Sequence, residues 1–324
     1  MKWDVDAALT SLSQETAALE RVRLGIVNRR SEGTKKMFLW VGGGIVVGLL
    51  VTILAKNPAG IMIGGLAALI GGIVVYSKYF SGGKAEYRSL FKTQLITKLV
   101  RWVEPGMNYD PYRGLSEGMF QASQLYRKRP DRYASEDLIH GMIGKTSLMF
   151  SEVHAEERYT TTDSKGNTQT KWRDIFRGIL VCADFHKEFR STVAVMPDFA
   201  ERTFGFLGKK LQKLGGNVQR MENPEFEQMF VVRGSDPIET RYILTPSMQE
   251  RLVALRQRVG DGLRIVFYDS HVWLAIPNRD NWFEGNLWQS ADDRNQARML
   301  LGQLRSAFEI VEELDLNTRI WTKE

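Results

Sequence analysis

Cysteine, histidine and excess charge are all scarce in this sequence. Cys182 is the only cysteine among 324 residues, which excludes a scaffold held together by disulfides. Lysine and arginine total 44 against 38 acidic residues, which is only a small excess of positive charge. The basic residues cluster beside apolar segments, a placement that favours a role in membrane topology over nucleic-acid binding. Hydrophobic residues make up 43% of the chain, too many for a disordered protein and too few for a polytopic transporter. The length suits one large or two ordinary domains.

Two consecutive runs, 37–55 and 59–76, contain no ionisable residue. Each is about 18–19 residues long, which as a helix approaches the roughly 30 Å thickness of the hydrocarbon layer. Only Lys56-Asn57-Pro58 separates them. The pattern predicts a transmembrane helical hairpin with two spans in the lipid bilayer. The alternative is a pair of buried core helices in a soluble protein.

The residues on either side of the two runs predict the orientation of the hairpin. Basic residues precede the first run and follow the second, whereas the connecting turn has only Lys56. The positive-inside rule then predicts that both termini and the main domain are cytoplasmic, with the turn outside. Interfacial aromatic residues are expected at Trp40, Tyr76, Tyr79 and Phe80. No cleavable signal sequence is expected, because the first run begins late and no processing site follows it.

Small residues recur at every fourth position in both runs. They are Gly44 and Gly48 in the first and Gly60, Gly64, Ala68 and Gly72 in the second. Small side chains let helix backbones approach closely, so we expect helix packing at these six positions. One interpretation is that they join the two helices of the hairpin, and the other is that they also drive homo-oligomer formation.

The N-terminal segment has a heptad-like seam that predicts an amphipathic helix. The seam residues are Val5, Leu9, Leu12, Thr16, Leu19, Arg23 and Ile26. The seam has four candidate partners: a second copy of the chain, another protein, the helix after the second span, and the chain's own cytoplasmic domain.

Beyond the hairpin the pattern predicts an α+β body with a mostly antiparallel sheet and packed helices. The predicted organisation is an N-terminal amphipathic helix (1–36), the hairpin (37–80), a juxtamembrane helix and linker (81–135) and a cytoplasmic α+β domain (136–324). Within the last region we expect a β-hairpin around 163–167, strands at 171–185, 189–196, 226–233 and 239–244, two strands within 263–277, and helices at 198–214, after Thr245-Pro246 and at about 290–314.

Several motifs in order resemble a known family. They are Phe176-Arg177-Gly178, Thr192-Val193-Ala194-Val195 with Pro197-Asp198, Glu225-Phe226-Glu227, and Glu239-Thr240-Arg241-Tyr242-Ile243-Leu244-Thr245-Pro246. Together with the hairpin they resemble the bacterial family DUF3137, over residues 35–285. The resemblance implies a bacterial inner-membrane protein with a paired-helix anchor and a cytosolic α+β body. It implies no catalytic residues.

The candidate chemistry is sparse, and we assign no catalytic, cofactor-binding or metal-binding residue from the sequence. His154 shares a strand face with Glu152 and Glu156, and His186 lies near Asp184 and Cys182. Either place could hold a metal ion, and the alternative is that both are ordinary surface or hydrogen-bonded histidines. Cys182 lies in an apolar strand and is expected to be a buried hydrophobic residue. The adjacent Asp269-Ser270-His271 does not form a triad, because neighbouring side chains cannot align for proton transfer.

The sequence favours a non-enzymatic membrane-anchored protein whose cytoplasmic body binds a protein partner or the membrane surface. Lys209, Lys210 and Lys213 lie beside an apolar stripe of the predicted helix at 198–214 and are expected to contact lipid or a partner. The alternative is a membrane-anchored hydrolase that uses His154 or His186 with nearby carboxylates. Nucleic-acid binding is disfavoured, because its arginine and aromatic residues are scattered.

Overall fold

The computed structural model describes residues 3–56, 58–185, 187–198 and 217–316. They form two compact units. The first contains Trp3–Ile96 and Glu284–Arg298, and the second contains Thr97–Phe283 and the chain from Met299 onward.

The first unit is helical. Its helices are α1 (Val5–Ser11), α2 (Ser13–Ala55), α3 (Ala59–Tyr79) and α4 (Gly83–Leu90), and α4 continues into a π-helical stretch (Phe91–Ile96). Asp4 caps α1, because its side chain accepts hydrogen bonds from the amides of Asp6 and Ala7. The N-terminal amphipathic segment runs from Ser13 into the apolar run without a break, so α2 is a single helix of 43 residues.

The second unit is built on a nine-stranded antiparallel sheet, which confirms the predicted α+β class. Its strands are β1 (Met107–Asp110), β2 (Arg132–Ile143), β3 (Thr146–Thr162), β4 (Thr168–Asp184), β5 (Val193–Pro197), β6 (Asn217–Gln219), β7 (Phe230–Gly234), β8 (Arg264–Tyr268) and β9 (His271–Pro277). Their order across the sheet is β1-β2-β3-β4-β9-β8-β5-β7-β6. The predicted hairpin around 163–167 is confirmed, because Asp163 Oδ1 accepts the amides of Lys165 and Asn167 in the β3–β4 turn.

Helices connect the strands and pack on the sheet. They are α5 (Thr97–Val103), α6 (Glu117–Ala122), α7 (Pro224–Met229), α8 (Pro237–Ile243), α9 (Pro246–Val259) and α10 (Arg294–Glu313), of which α10 belongs to this unit from Met299 onward. The helix after Thr245-Pro246 is confirmed, with Thr245 as its N-cap. The predicted strand at 239–244 is wrong: residues 239–243 lie in α8, and Leu244 is its C-cap. Residues 226–229 also lie in a helix, α7, and only 230–234 form a strand.

One face of the sheet carries an aromatic core, and the loop before β2 packs against it through Tyr126. Phe120 is fully buried, and its ring lies 5.5 Å from that of Tyr126, 5.6 Å from that of Tyr133 and 6.3 Å from that of Phe176. Val153 and Leu180 extend this cluster across β3 and β4. On the opposite face Phe150 packs edge-to-face against Phe308 of α10. Both faces of β3 are therefore covered in the middle of the sheet.

Candidate functional site

The apolar runs form two long helices that are packed side by side. α2 and α3 are each long and apolar enough to cross a membrane. Lys56 ends α2 in the left-handed conformation, and α3 begins three residues later, so the helices run antiparallel. Helices satisfy their own backbone groups, as a segment in lipid requires.

The small residues bring the two backbones into direct contact. A Cβ on Gly64 would lie 2.4 Å from the carbonyl oxygen of Gly44 and 2.6 Å from Cα of Gly48. A Cβ on Gly44 would lie 2.8 Å from Cβ of Ala68, and one on Gly60 would lie 2.5 Å from the amide nitrogen of Thr52. The structure thus brings five of the six small residues together at one contact within the hairpin.

Gly72 lies off this contact. Among the described residues no atom comes within 4 Å of a Cβ placed on it, whereas a Cβ on Gly71 would lie 2.6 Å from the ring of Trp40. The reason is helical geometry. At 3.6 residues per turn, Gly72 is rotated about 120° from Gly60, and Gly71 only about 20°. A strict spacing of four therefore drifts off the contact within three turns.

The outward faces of the hairpin are apolar and exposed. Phe38 is 76% exposed, Leu54 82% and Met62 77%. Other apolar residues exposed on the two helices are Leu39, Ile45, Val46, Val47, Ile53, Ile63, Leu66, Leu69, Ile70, Ile73 and Val74. A soluble protein rarely exposes so large a contiguous apolar surface. This surface has the chemistry of a helix pair that faces lipid acyl chains.

Basic and aromatic residues lie together where the hairpin meets the rest of the first unit. The Lys36 ammonium donates a hydrogen bond to the Tyr79 hydroxyl, and Arg30 donates one to the carbonyl oxygen of Phe80 at 3.4 Å. Lys35 and Lys78 are exposed nearby in sequence. Such residues stabilise helix ends at a membrane interface, since their long side chains reach the headgroups. Trp40, which was expected at the interface, packs on Gly71.

The heptad-like seam of the N-terminal segment is buried inside the first unit. Leu12, Thr16, Leu19 and Ile26 are all less than 7% exposed, and Ile26 contacts Gly83 of α4. Two of the candidate partners are therefore seen in the structure: the helix after the second span, and residues 284–298 of the region predicted as the cytoplasmic domain, where the carbonyl oxygen of Leu287 accepts a hydrogen bond from Arg23 at 3.3 Å. Because the glycine contact is also used within one chain, self-association through either surface would require the first unit to open.

An ion pair on α2 ties this segment to the chain near Ala291. Glu20 binds Arg23 at 2.6 Å and accepts a hydrogen bond from the amide of Ala291 at 3.0 Å. The hydrogen bond from Arg23 is the main cause that lowers the pKa of Glu20 from 4.5 to about 2. Its contribution to stability is complete above pH 4.5 and is lost as the pH falls towards 2.

Replacing Glu20 with glutamine is expected to lower the free energy of unfolding by about 1 kcal/mol at neutral pH, since the pair is partly exposed. The difference from the unmodified chain should shrink as the pH is lowered from 6 to 3, because the carboxylate is progressively protonated in the unfolded state. Thermal unfolding of detergent-purified protein at both pH values measures this. A difference that stays constant with pH would show that the pair does not act through the ionised carboxylate.

The other predicted residues that the structure describes do not converge on a site. Lys209, Lys210, Lys213 and His186 lie outside the described residues, so their predicted roles stay predictions. His140 is exposed on β2. Nδ1 of His271 donates to the carbonyl oxygen of Asp269 at 2.6 Å within the tight turn between β8 and β9.

Cys182 is a core residue of β4, as its apolar strand indicated. It is 4% exposed, and burial, with a smaller effect from Asp184, raises the pKa of its thiol to about 12. The thiolate is the reactive species, so a thiol reagent at pH 8 is expected to modify none of the folded chain and one thiol per chain in denaturant. A colorimetric thiol assay measures this. Rapid modification of the folded chain would place Cys182 at the surface.

His154 differs from the other described histidines because two carboxylates surround it. Its Nε2 lies 2.8 Å from Oδ1 of Asp174, and one ligand atom each of His154, Glu156 and Asp174 lie within 4.8 Å of one another. Glu152, expected to face the same way, instead accepts a hydrogen bond from the amide of Trp282 at 3.0 Å. The sequence identified His154 and Glu156 but not Asp174, which the pairing of β3 with β4 supplies.

Asp174 also lines an open cavity of about 370 Å³ at the end of β9. Tyr126, Arg177, Asn278 and Arg279 line it as well. Burial raises the pKa of Tyr126 to about 12, so its hydroxyl stays protonated at physiological pH. Two guanidinium groups in the wall suit an anionic ligand group.

The sequence matches the family described as Protein of unknown function (DUF3137) over residues 174–316. The match confirms the family resemblance in this range, which contains the motifs quoted for it. It begins after the hairpin and spans less than half of the chain. A comparison with curated proteins found no match.

Among solved structures, the chain is similar to one described as the crystal structure of the mycobacterial trehalose monomycolate transport factor A, TtfA. The identity is 6%, the aligned region covers 64% of this chain and 88% of that chain, and the TM-score is 0.30. A similarity this distant supports no statement about function.

Proposed function

We propose that this chain, a DUF3137-family protein over residues 174–316, is a membrane-anchored protein that acts by binding. The α2–α3 hairpin crosses the bacterial inner membrane twice, and the α+β unit binds a protein partner on the cytoplasmic side. The observation that carries the anchor is the exposed apolar surface on the outward faces of both helices. The basic residues at the open end of the hairpin support the cytoplasmic assignment.

The β3–β4 ribbon supports partner binding. β2 pairs with β3 only as far as Glu156, and β9 pairs with β4 only from Gly178. Within the described residues the ribbon from 157 to its turn therefore extends beyond the sheet with no strand paired to either outer edge. The amide of Arg158 donates a hydrogen bond to Oδ2 of Asp131 at 2.7 Å, so the edge of β3 is open to an added strand from Tyr159 onward. An unpaired strand edge is a template for an added strand. Arg158, Lys165 and Lys171 lie on the ribbon and favour an acidic partner segment.

Membrane fractionation tests the anchor. The full chain is expected to remain in the membrane pellet after high-salt and alkaline washes, because it is held by apolar contact and not by charge. The test variant replaces Leu66, Leu69 and Ile73, which face outward from α3, with lysine. The control variant places one lysine at Ile238, which is exposed in the other unit. Only the triple variant should be released. Release of the unmodified chain by alkaline wash would contradict the anchor.

Site-specific photocross-linking of the full chain in native membranes tests the ribbon. A photoreactive residue at Thr160 or Thr170, on opposite strands of the ribbon, is expected to cross-link the same protein. Tyr112, which is exposed on a loop of the same unit, is the control position. Cross-linking from Tyr112 but from neither ribbon position would contradict binding through the ribbon.

A second candidate function is a membrane-anchored enzyme, the alternative raised by the sequence. It is favoured by one observation, the convergence of His154 with two carboxylates next to an open cavity. The group has the composition of a site for metal-assisted or acid–base chemistry.

A further inference from the structure

We propose that His154, Glu156 and Asp174 bind a divalent metal ion, and that zinc is the ion their chemistry fits. One imidazole nitrogen and two carboxylate oxygens are donors that zinc accepts in proteins. This site goes beyond the membrane anchor and does not depend on it, because all three residues lie in the sheet unit.

The separation of the donor atoms suits a single ion. Zinc binds imidazole nitrogen and carboxylate oxygen at about 2.0–2.2 Å, so two ligands of a tetrahedral ion lie roughly 3.3 Å apart. The His154 nitrogen and the Asp174 oxygen are 2.8 Å apart, and all three donors lie within 4.8 Å of one another. Small rotations of the side chains would place all three donors around one ion.

A β-bulge creates the arrangement. Ala155 pairs with Phe176, but the next residue, Glu156, pairs with Asp174, because the register shifts between them. Without this shift Glu156 would lie opposite Ile175. Bulges commonly redirect a side chain next to a functional site. Here the bulge places a second carboxylate on the face that carries His154.

The charges of the site favour a cation. Glu156 and Asp174 lie directly opposite each other on neighbouring strands, and two like charges in that position destabilise a sheet. The neighbouring arginines contact other groups: Arg132 stacks on Trp172 at 3.5 Å, and Arg177 donates to Asn281 at 3.2 Å. A bound divalent ion would remove the repulsion between the two carboxylates.

The site leaves room for a further ligand. Three protein donors leave the fourth tetrahedral position open, which is the arrangement of zinc sites that bind water or a substrate. Asp174 also lines the cavity whose wall contains Arg177 and Arg279. The fourth ligand is therefore water or an anionic group that enters from the cavity.

Calorimetric titration with zinc chloride tests the site, using the full chain purified in detergent without a histidine tag and stripped of metal by a chelator. We expect one ion per chain for the unmodified protein and affinity at least tenfold weaker for His154→Ala and for Asp174→Asn. His140→Ala is the matched control, because His140 is exposed on β2 outside the cluster, and it should bind like the unmodified chain.

Cobalt provides a second readout that a purely structural role would not change. Titration with cobalt chloride should produce the visible absorption band of a four-coordinate ion, which His154→Ala abolishes and His140→Ala retains. Circular dichroism of each variant checks that it is folded. No binding by the folded unmodified chain, or equal binding by folded His154→Ala, would overturn the proposal.

Discussion

Replacing Gly64 with leucine is expected to lower the free energy of unfolding of the helical hairpin by about 3 kcal/mol. A Cβ at this position would lie 2.4 Å from the Gly44 carbonyl oxygen and 2.6 Å from Cα of Gly48, both of which are backbone atoms. The side chain therefore cannot be accommodated by a change of rotamer, and α2 and α3 must move apart. An SDS titration of detergent-purified protein measures the loss.

The neighbouring glycine provides the control. Gly65→Leu makes the same chemical change one residue away, where no described atom comes within 4 Å of the added Cβ. It should leave the midpoint of the titration nearly unchanged. Equal destabilisation by the two substitutions would mean that the helices do not pack through the face that contains Gly64.

Phe120→Ala is expected to lower the free energy of unfolding of the sheet unit by about 3–5 kcal/mol. The Phe120 ring is fully buried between three other aromatic rings, those of Tyr126, Tyr133 and Phe176. Removing it leaves a cavity that the rigid sheet beneath cannot close. Chemical denaturation of the full chain, followed by circular dichroism of the sheet, measures the change.

Tyr112→Ala is the control for this substitution. It removes an aromatic side chain that is 68% exposed in the same part of the chain, and it should change the free energy of unfolding by less than about 0.5 kcal/mol. A loss for Phe120→Ala as small as that for Tyr112→Ala would contradict the buried aromatic cluster.

The hairpin could be predicted from the sequence because few structures accommodate two long uncharged runs. The residues at the contact between α2 and α3 could be predicted only in part. A spacing of four identifies Gly60 and Gly64, but with 3.6 residues per turn Gly72 already points away from the contact. The continuation of α2 from Ser13 through the apolar run was not predicted. The amphipathic and apolar halves of α2 differ in composition, so the sequence suggests two separate segments. The backbone hydrogen bonds of a helix continue across such a change in composition, and the two halves form one helix.

The segment at 239–244 shows how a local pattern can mislead. Its threonine, tyrosine and isoleucine residues favour a strand, but Asp236 accepts hydrogen bonds from the amides of Ile238 and Glu239, and Pro237 occupies the first helical turn. The capping interactions begin α8, and Thr240 and Ile243 become its buried face. β1 was missed because four residues carry too little periodicity to identify a strand.

The His154 cluster shows the same limit for sites. Alternation along one strand identified His154 and Glu156 as neighbours on one face. Asp174 lies 18 residues after Glu156 and 20 after His154. Its position beside them depends on the register of β3 with β4 and on the bulge after Ala155. Register across a long hairpin arises from packing of both strands, which one sequence does not reveal.

The central claim, that the hairpin crosses a membrane with both ends on one side, is tested most directly by cysteine accessibility. Cys182 is first replaced by serine, and single cysteines are then placed at Gln14, Lys56 or Ser164, which are exposed in α2, in the turn of the hairpin and in the β3–β4 loop. A membrane-impermeant thiol reagent added to cells with a permeabilised outer envelope should label only the cysteine at position 56. The other two should react only after the inner membrane is lysed. Labelling of position 56 from the same side as positions 14 and 164 would contradict the two-span anchor.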